Sequence, residues 1–287
     1  MGIKAFTTPF RKEYTMNIES YHTMKDEHDY HFYGKAKRKD ELYMGFELEV
    51  DMGDDVRYDD YRDNVGSCTD DLYDLFDSGY LHFEDDGSLD NGFEMITQPA
   101  SVSHHLSLFD DGTYAKMCRI CNDYGFRSHD IGTCGLHIHL DKEYFGDKLD
   151  SASAKLLFLF ERHWDNLKKF SRRRDEHWCH RYLNPSDNWF KIDSIKSVIS
   201  AAKNRALDRY YAVNLSNYDT IEIRLWRGTL NPATLKATIK LTARLAQLAK
   251  ETPAVKLAAM SWMDILGDDE DILTYARIRG LVPENDN

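Results

Sequence analysis

The chain is short of long apolar runs, of proline and of cysteine, and its basic residues form no concentrated face. No stretch of the 287 residues approaches the roughly 18 uninterrupted apolar residues that a membrane helix needs, so no membrane partner is expected. Six scattered prolines and no Pro/Gly/Ser-rich tract leave nothing that reads as a linker. No internal repeat divides the chain either. The reading is one catalytic domain over 41–287, preceded by an irregular, polar and aromatic extension over 1–40. Five cysteines are too few, and odd in number, for a disulfide framework, which suits a reducing compartment. The first residues carry no apolar leader segment, and Phe6 stands where a myristoylation pattern requires Ser or Thr. A soluble, cytoplasmic protein is the expectation.

The net charge is −12, and the first hundred residues hold 24 acids against 10 bases while the remainder is close to neutral. That distribution excludes the concentrated basic patch of a nucleic-acid binder, so no nucleic-acid partner is expected. Most of these charges read as solvated surface. An apolar content of 42%, with 13% aromatic residues, is sufficient for a packed core and excludes wholesale disorder.

Hydrophobic periodicity gives the elements. Residues 43–51 (YMGFELEVD) alternate as a strand, with Phe46, Leu48 and Val50 on one face and Glu47, Glu49 and Asp51 on the other. Residues 62–78 read as an acidic helix, 80–97 as two strands around an Asp-Asp-Gly-Ser turn, and 103–124 as one helix. Residues 134–141 (CGLHIHLD) alternate again, placing His137 and His139 opposite Leu136, Ile138 and Leu140. A long helix capped by Asp150 or Ser151 follows and runs into Ser171-Arg172-Arg173-Arg174. Residues 210–227 read as a strand pair around Ser216–Asp219. In its second strand Ile221, Ile223 and Leu225 alternate with Glu222, Arg224 and Trp226. Helices over 232–250 and 255–279, the latter broken near Gly267, complete the chain. Strands and helices neither alternate strictly nor segregate, which predicts an α+β fold, an antiparallel sheet with helices on one side.

Three strands thus each set two metal- or phosphate-competent side chains on one face: Glu47/Glu49, His137/His139 and Glu222/Arg224, joined by Glu94. Their opposite faces are aliphatic, and a one-residue slip would bury the charges, so the placement is well determined. Taken singly, an E-x-E or H-x-H strand is more often a solvated edge or a pair of surface histidines. Together, several carboxylates and an imidazole on one sheet face call for cations, and this donor mixture suits Mg²⁺ or Mn²⁺. Arg224 would face a transferring phosphoryl group. Cys118-x-x-Cys121 lacks a second pair to complete a zinc set and reads as core thiols.

The ordered set GFELEVD, DDGSL…GFEMITQP, CGLHIHLD, FSRR and YAVNL…TIEIRLWRGTLN resembles the amidoligase family of glutamine synthetase-like carboxylate–amine ligases, over residues 43 to about 250. The resemblance implies a curved antiparallel catalytic sheet with helices on its outer face, holding divalent ions between ATP and an acyl substrate. It implies Glu47, Glu49, Glu94, His137 and Glu222 as metal ligands, His139 on the nucleotide side, and Arg224 as a phosphate-contacting arginine. The family's Asp-Gly-Ser turn falls on Asp86, Gly87 and Ser88, and Ser88 is expected with the cofactor. Arg172, Arg173 and Arg209 match phosphate or carboxylate clamps, although helix-end capping explains Arg172 and Arg173 as well. Asn214 fits a substrate contact or, equally, a structural strand asparagine. Residues 1–40 have no counterpart in the family.

The implied reaction is ATP-dependent amide or isopeptide formation through an acyl phosphate, from small-molecule or peptide carboxylates and amines. Asp86 is the nominee for the base that deprotonates the amine. A phosphotransferase on the same scaffold, a non-catalytic metal-binding module and a His137/His139 metallohydrolase compete. The carboxylate excess and Arg224 disfavour the last.

Overall fold

A computed structural model describes residues 18–20, 30–53, 56–76, 79–174, 176–183 and 210–283. Its centre is a seven-stranded sheet in the order β2-β3-β1-β5-β7-β6, every paired strand antiparallel, with β4 also paired to β1. The strands are β1 (Tyr43–Asp51), β2 (Leu81–Glu84), β3 (Gly92–Thr97), β4 (Ala100–Ser101), β5 (Gly135–Asp141), β6 (Val213–Asn214) and β7 (Thr220–Arg227). Period-two alternation gives β1 its central place: Phe46, Leu48 and Val50 are all but fully buried and must be covered by something apolar.

Helices provide the cover. Phe46 meets His105 of α2 (Val102–Asp110) and Tyr114 of α3 (Thr113–Asp123), with ring centroids 5.9 and 5.7 Å away. Tyr73 of α1 (Tyr58–Leu75) stands edge-on to Phe83 of β2 at 4.8 Å. Leu156 to Phe160 of α4 (Leu149–Arg162), Phe170 of α5 (Trp164–Ser171) and Leu235, Ile239 and Leu245 of α6 (Pro232–Glu251) complete one continuous core. Three short helices follow: α7 (Ala254–Ala259), α8 (Trp262–Leu266) and α9 (Glu270–Ile278). Among the described residues, no helix is long and apolar enough to cross a membrane.

Several expected elements differ in their limits. The single helix expected over 103–124 is two, parted at an Asp110-Asp111-Gly112 turn. The long helix expected to be capped by Asp150 or Ser151 instead starts at Leu149 with no side-chain cap, and breaks at His163. The 255–279 stretch breaks at Gly267 as expected and also at Met260–Ser261, where Ser261 and Asp264 form a reciprocal capping box. Trp226 is a clearer correction. Leu136 pairs with Trp226 but Ile138 pairs with Ile223, so β7 carries one more residue than β5 between these pairs. This bulge turns Trp226 away from the Glu222/Arg224 face and into the core, against Phe160 and Phe170.

Of the expected N-terminal extension, Tyr33 lies beside β4: its N–H donates to Pro99 O (2.9 Å) and its carbonyl accepts from Ser101 N (2.8 Å). Cys68, Cys118 and Cys121 are buried free thiols within the core.

Candidate active site

Sheet register assembles the site. Glu49 lies directly opposite Glu94, Glu47 opposite His137, and His139 opposite Glu222. Six side chains contributed by β1, β3, β5 and β7 therefore meet on one face, opposite the one that the described helices cover. Glu49, Glu94, His137 and Glu222 are each at most 5% exposed. Among the described residues, two groups have potential ligand atoms within 4.8 Å of one another: Glu47, His137 and Glu222, and Glu49, Glu94 and His137.

His137 is common to both, and its two ring nitrogens serve different sides. Nδ1 lies 3.1 Å from Glu47 Oε2 and 3.8 Å from Glu222 Oε1, whereas Nε2 lies 3.9 Å from Glu49 Oε1. Gly135 N–H donates to Glu49 Oε2. A Cβ at Gly135 would stand 3.0 Å from His137 Nε2 and 3.3 Å from Glu49 Oε2, so any other residue there would crowd both side chains. On the far side, Arg224 pairs with Glu222 Oε1. Asn214 donates to Glu222 Oε2 at 2.8 Å and Asn217 at 3.2 Å. His139 Nε2 lies 3.0 Å from Glu47 Oε1, and its Nδ1 lies 3.0 Å from Thr220 Oγ1.

The electrostatics are uneven. Burial, together with the charges of Glu47, Glu49, Asp86 and Glu84, holds the Glu94 carboxyl well above the usual range. Burial raises Glu49 as well, with His137 opposing. At Glu47 burial acts upward but is outweighed by His139 and His137, which bring the carboxyl well below its usual value. The reciprocal effect takes His139 up to about 9: burial lowers it, and the carboxylates of Glu47 and Glu222 overcome that. Carboxylates this close in a low-dielectric site repel unless a cation or a proton intervenes. The donor set, carboxylates around one imidazole with no thiolate, fits a hard divalent ion.

Two cavities flank the cluster. One, of about 420 Å³, is lined by Glu49, Asp86, Gly87, Ser88, Gly135, His137, Arg173, Arg224 and the rings of Trp178 and Tyr210. The other, of about 310 Å³, is bounded by Glu47, Glu94 and His139 and walled by Tyr30, Phe32, Tyr43, Phe46 and Tyr218. Both touch the carboxylate row: Glu49 and His137 line the first, Glu47 and Glu94 the second.

The expected site residues divide accordingly. Glu47, Glu49, Glu94, His137 and Glu222 come together, with Arg224 and His139 against them. Asp86 and Arg173 reach the Glu49 side, and Arg173 Nε also donates to Cys179 Sγ at 3.3 Å. Ser88 lies on that side too, its N–H turned to Asp86 Oδ1 at 2.7 Å, and so is separated from His139, with which it was expected. Arg172 lines neither cavity: it closes α5 with φ 62° and its carbonyl faces Arg227, the helix-end alternative. Asn214 is buried behind Glu222 rather than lining a cavity, the structural alternative. Arg209 lies outside the described residues.

Sequence reasoning passed over Glu84. It is 1% exposed, pairs in register with Glu94, and lines the aromatic cavity, so Glu84, Glu94 and Glu49 form one row across β2, β3 and β1. The signal available was His82-Phe83-Glu84 alternation, masked by the acids that follow it.

A mixed α/β chain with an antiparallel sheet and a buried carboxylate–imidazole cluster between two cavities is the class defined here. Within that class, residues 69–246 match the family described as "putative amidoligase enzyme", and the chain belongs to that family. Membership supports a ligase activity. Glu47 and Glu49 lie upstream of the matched residues and join the site through β1 pairing. No curated protein matches the chain.

Proposed function

We propose that this protein is an ATP-dependent carboxylate–amine ligase on a glutamine synthetase-like sheet, forming an amide through an acyl phosphate. The observation that carries the reading is the imidazole of His137 shared by two carboxylate groups, in a cluster with Glu49 and His137 lining one cavity and Glu47 and Glu94 the other. Glu47, His137 and Glu222 would hold one Mg²⁺ or Mn²⁺ ion and Glu49, Glu94 and His137 a second. When bound, such ions would neutralise the phosphates and orient them in line with the acyl substrate.

The chain's own residues take the remaining roles. The aromatic cavity beside His139 receives the nucleoside, and the cavity with Arg173 and Arg224 receives the anionic acyl substrate. The substrate carboxylate oxygen attacks the γ-phosphorus and ADP leaves, with Arg224 offsetting charge on the transferring group. The amine nitrogen then attacks the acyl carbon, the bond from that carbon to the phosphate oxygen breaks, and phosphate departs. Asp86, in the wall of that cavity, takes the amine proton.

The test is ADP release with ATP and Mg²⁺ against paired panels of carboxylates and amines, wild type beside Glu49→Ala. ADP that requires both substrates and disappears in the variant is the expected result. ADP that requires one substrate alone would make the protein a phosphotransferase. Divalent-ion binding without any nucleotide binding would leave a metal module and end the ligase reading.

A further inference from the structure

The wall of the aromatic cavity is built largely by residues outside the family match. Tyr30, Phe32, Arg38 and Tyr43 line it, and all precede the first matched residue, 69. The segment from Tyr30 to Tyr43 is fixed at both ends. His31 N donates to Gln98 Oε1 at 3.0 Å, and the Tyr33 backbone bonds to Pro99 and Ser101 beside β4. Toward its other end Arg38 makes a two-pronged contact with Asp141 at the end of β5, 2.7 Å from Nε to Oδ2 and 2.8 Å from Nη2 to Oδ1. The segment thus spans from the β3–β4 corner across β1 to β5.

Between these anchors the aromatic rings are held in place. The Arg38 guanidinium carbon lies 4.1 Å from the centroid of the Phe32 ring. Tyr43 stands edge-on to Phe32 at 5.7 Å, and its hydroxyl donates to Ala36 O at 2.7 Å. A Cβ at Gly34 would overlap the Tyr43 ring, reaching Cζ at 2.7 Å, so the segment lies flat on that ring only because residue 34 has no side chain. The carboxylate of Asp141 offsets the charge of Arg38, and what the wall then offers is aromatic surface. Tyr218, 91% exposed at the β6–β7 turn, adds a further ring to the same cavity. The floor is of the opposite character, with Glu47, Glu84, Glu94 and His139.

We propose that the Tyr30–Tyr43 segment, with Tyr218, is the purine-binding wall of the nucleotide cavity, and that Phe32 is the ring against which the base stacks; this rests on the ATP-dependent reading above. A flat, neutral, polarisable heterocycle is the ligand that aromatic rings with a compensated charge favour. A bare polyphosphate would find nothing to bind on that wall. Arg38 is a positioning residue, which fixes the plane of Phe32 through its contact with Asp141.

The full-length protein with Mg²⁺ is titrated calorimetrically with ATP and, separately, with inorganic tripolyphosphate, for wild type, Phe32→Ala and Tyr218→Ala. Tyr218 is exposed, so its variant carries no risk to folding, and a melting curve checks the Phe32 variant. The expected result is that both substitutions weaken ATP, Phe32→Ala by about tenfold, while tripolyphosphate affinity stays within about twofold. Unchanged ATP affinity in both variants would overturn the wall as the base site while leaving ATP dependence intact. Equal wild-type affinity for ATP and tripolyphosphate would overturn any base site. Binding of neither ligand would remove the ATP-dependent reading itself, and this inference with it.

Discussion

At the scale of the residue, Glu222 shows how a buried carboxylate is held by what stands behind it. Asn214 donates to one of its carboxylate oxygens while its own Oδ1 accepts from Ser216 N (2.9 Å) and Ser216 Oγ (2.7 Å), tying the carboxylate to the β6–β7 turn. Asn214→Ala is expected to cost about 1–2 kcal/mol of stability, because buried partners lose their hydrogen bonds. If the asparagine positions Glu222 for an ion, Mn²⁺ affinity should also fall severalfold, as outer partners of metal ligands usually show. Titration followed by electron paramagnetic resonance reads this directly, and an unaltered affinity would reduce Asn214 to a turn residue. The carboxylates and His137 were legible in the sequence because strand alternation puts their neighbours in the core. Glu84 was not, because only pairing in three dimensions sets it beside Glu94. Nor could alternation separate Ser88 from His139, since which cavity a turn serves depends on register between distant strands.

At the scale of the element, α2 carries a buried histidine outside the site. His105 Nε2 lies 2.9 Å from Met44 O, and a carbonyl only accepts, so Nε2 bears the hydrogen. Its Nδ1 then accepts from Tyr114 Oη at 2.7 Å, and Tyr80 Oη lies 2.7 Å from that hydroxyl. Burial pushes His105 down to about 4; the Met44 bond opposes this and the charge of neighbouring His104 adds to it. The unfolded chain takes up this proton near pH 6.5, whereas the folded protein takes it up only near 4. Stability is therefore present above pH 6.5 and is lost as pH falls toward 4, by about 1.4 kcal/mol per unit from this group. Chemical denaturation of the ion-free wild type and His105→Gln between pH 6.5 and 4.5 should show the two stabilities converging by that amount per unit as pH falls. Elements like α2 were visible as periodicity, but their ends were not. The break at His163 follows no breaker residue.

At the scale of the molecule, a buried acidic row lies across the middle of the sheet that organises the core. On the proposed reading a cation relieves the repulsion within that row, so Mg²⁺ at a hundredfold excess over its Kd should add about 2.7 kcal/mol and raise Tm by several degrees. A chelator should reverse the gain. Glu94→Gln should act with opposite signs in the two states: a higher Tm without ions, since one member of the repelling row is neutral, and a smaller gain with them. Calorimetry with and without Mg²⁺ distinguishes this from ordinary destabilisation. The antiparallel, helix-covered sheet was legible as a whole because each strand was amphipathic in its own right. The bulge in β7 was not, because the one break in the alternation of TIEIRLWR, Leu225 followed by Trp226, reads equally as an aromatic on the polar face. That bulge has a consequence for how the chain tolerates change. Before it, β7 turns Glu222 and Arg224 to the carboxylate face; after it, Trp226 faces the helices. A strand one residue shorter could satisfy one half only by reversing the other. The information here lies in a count rather than in any side chain, so the chain should absorb substitutions in this stretch more readily than a single-residue deletion.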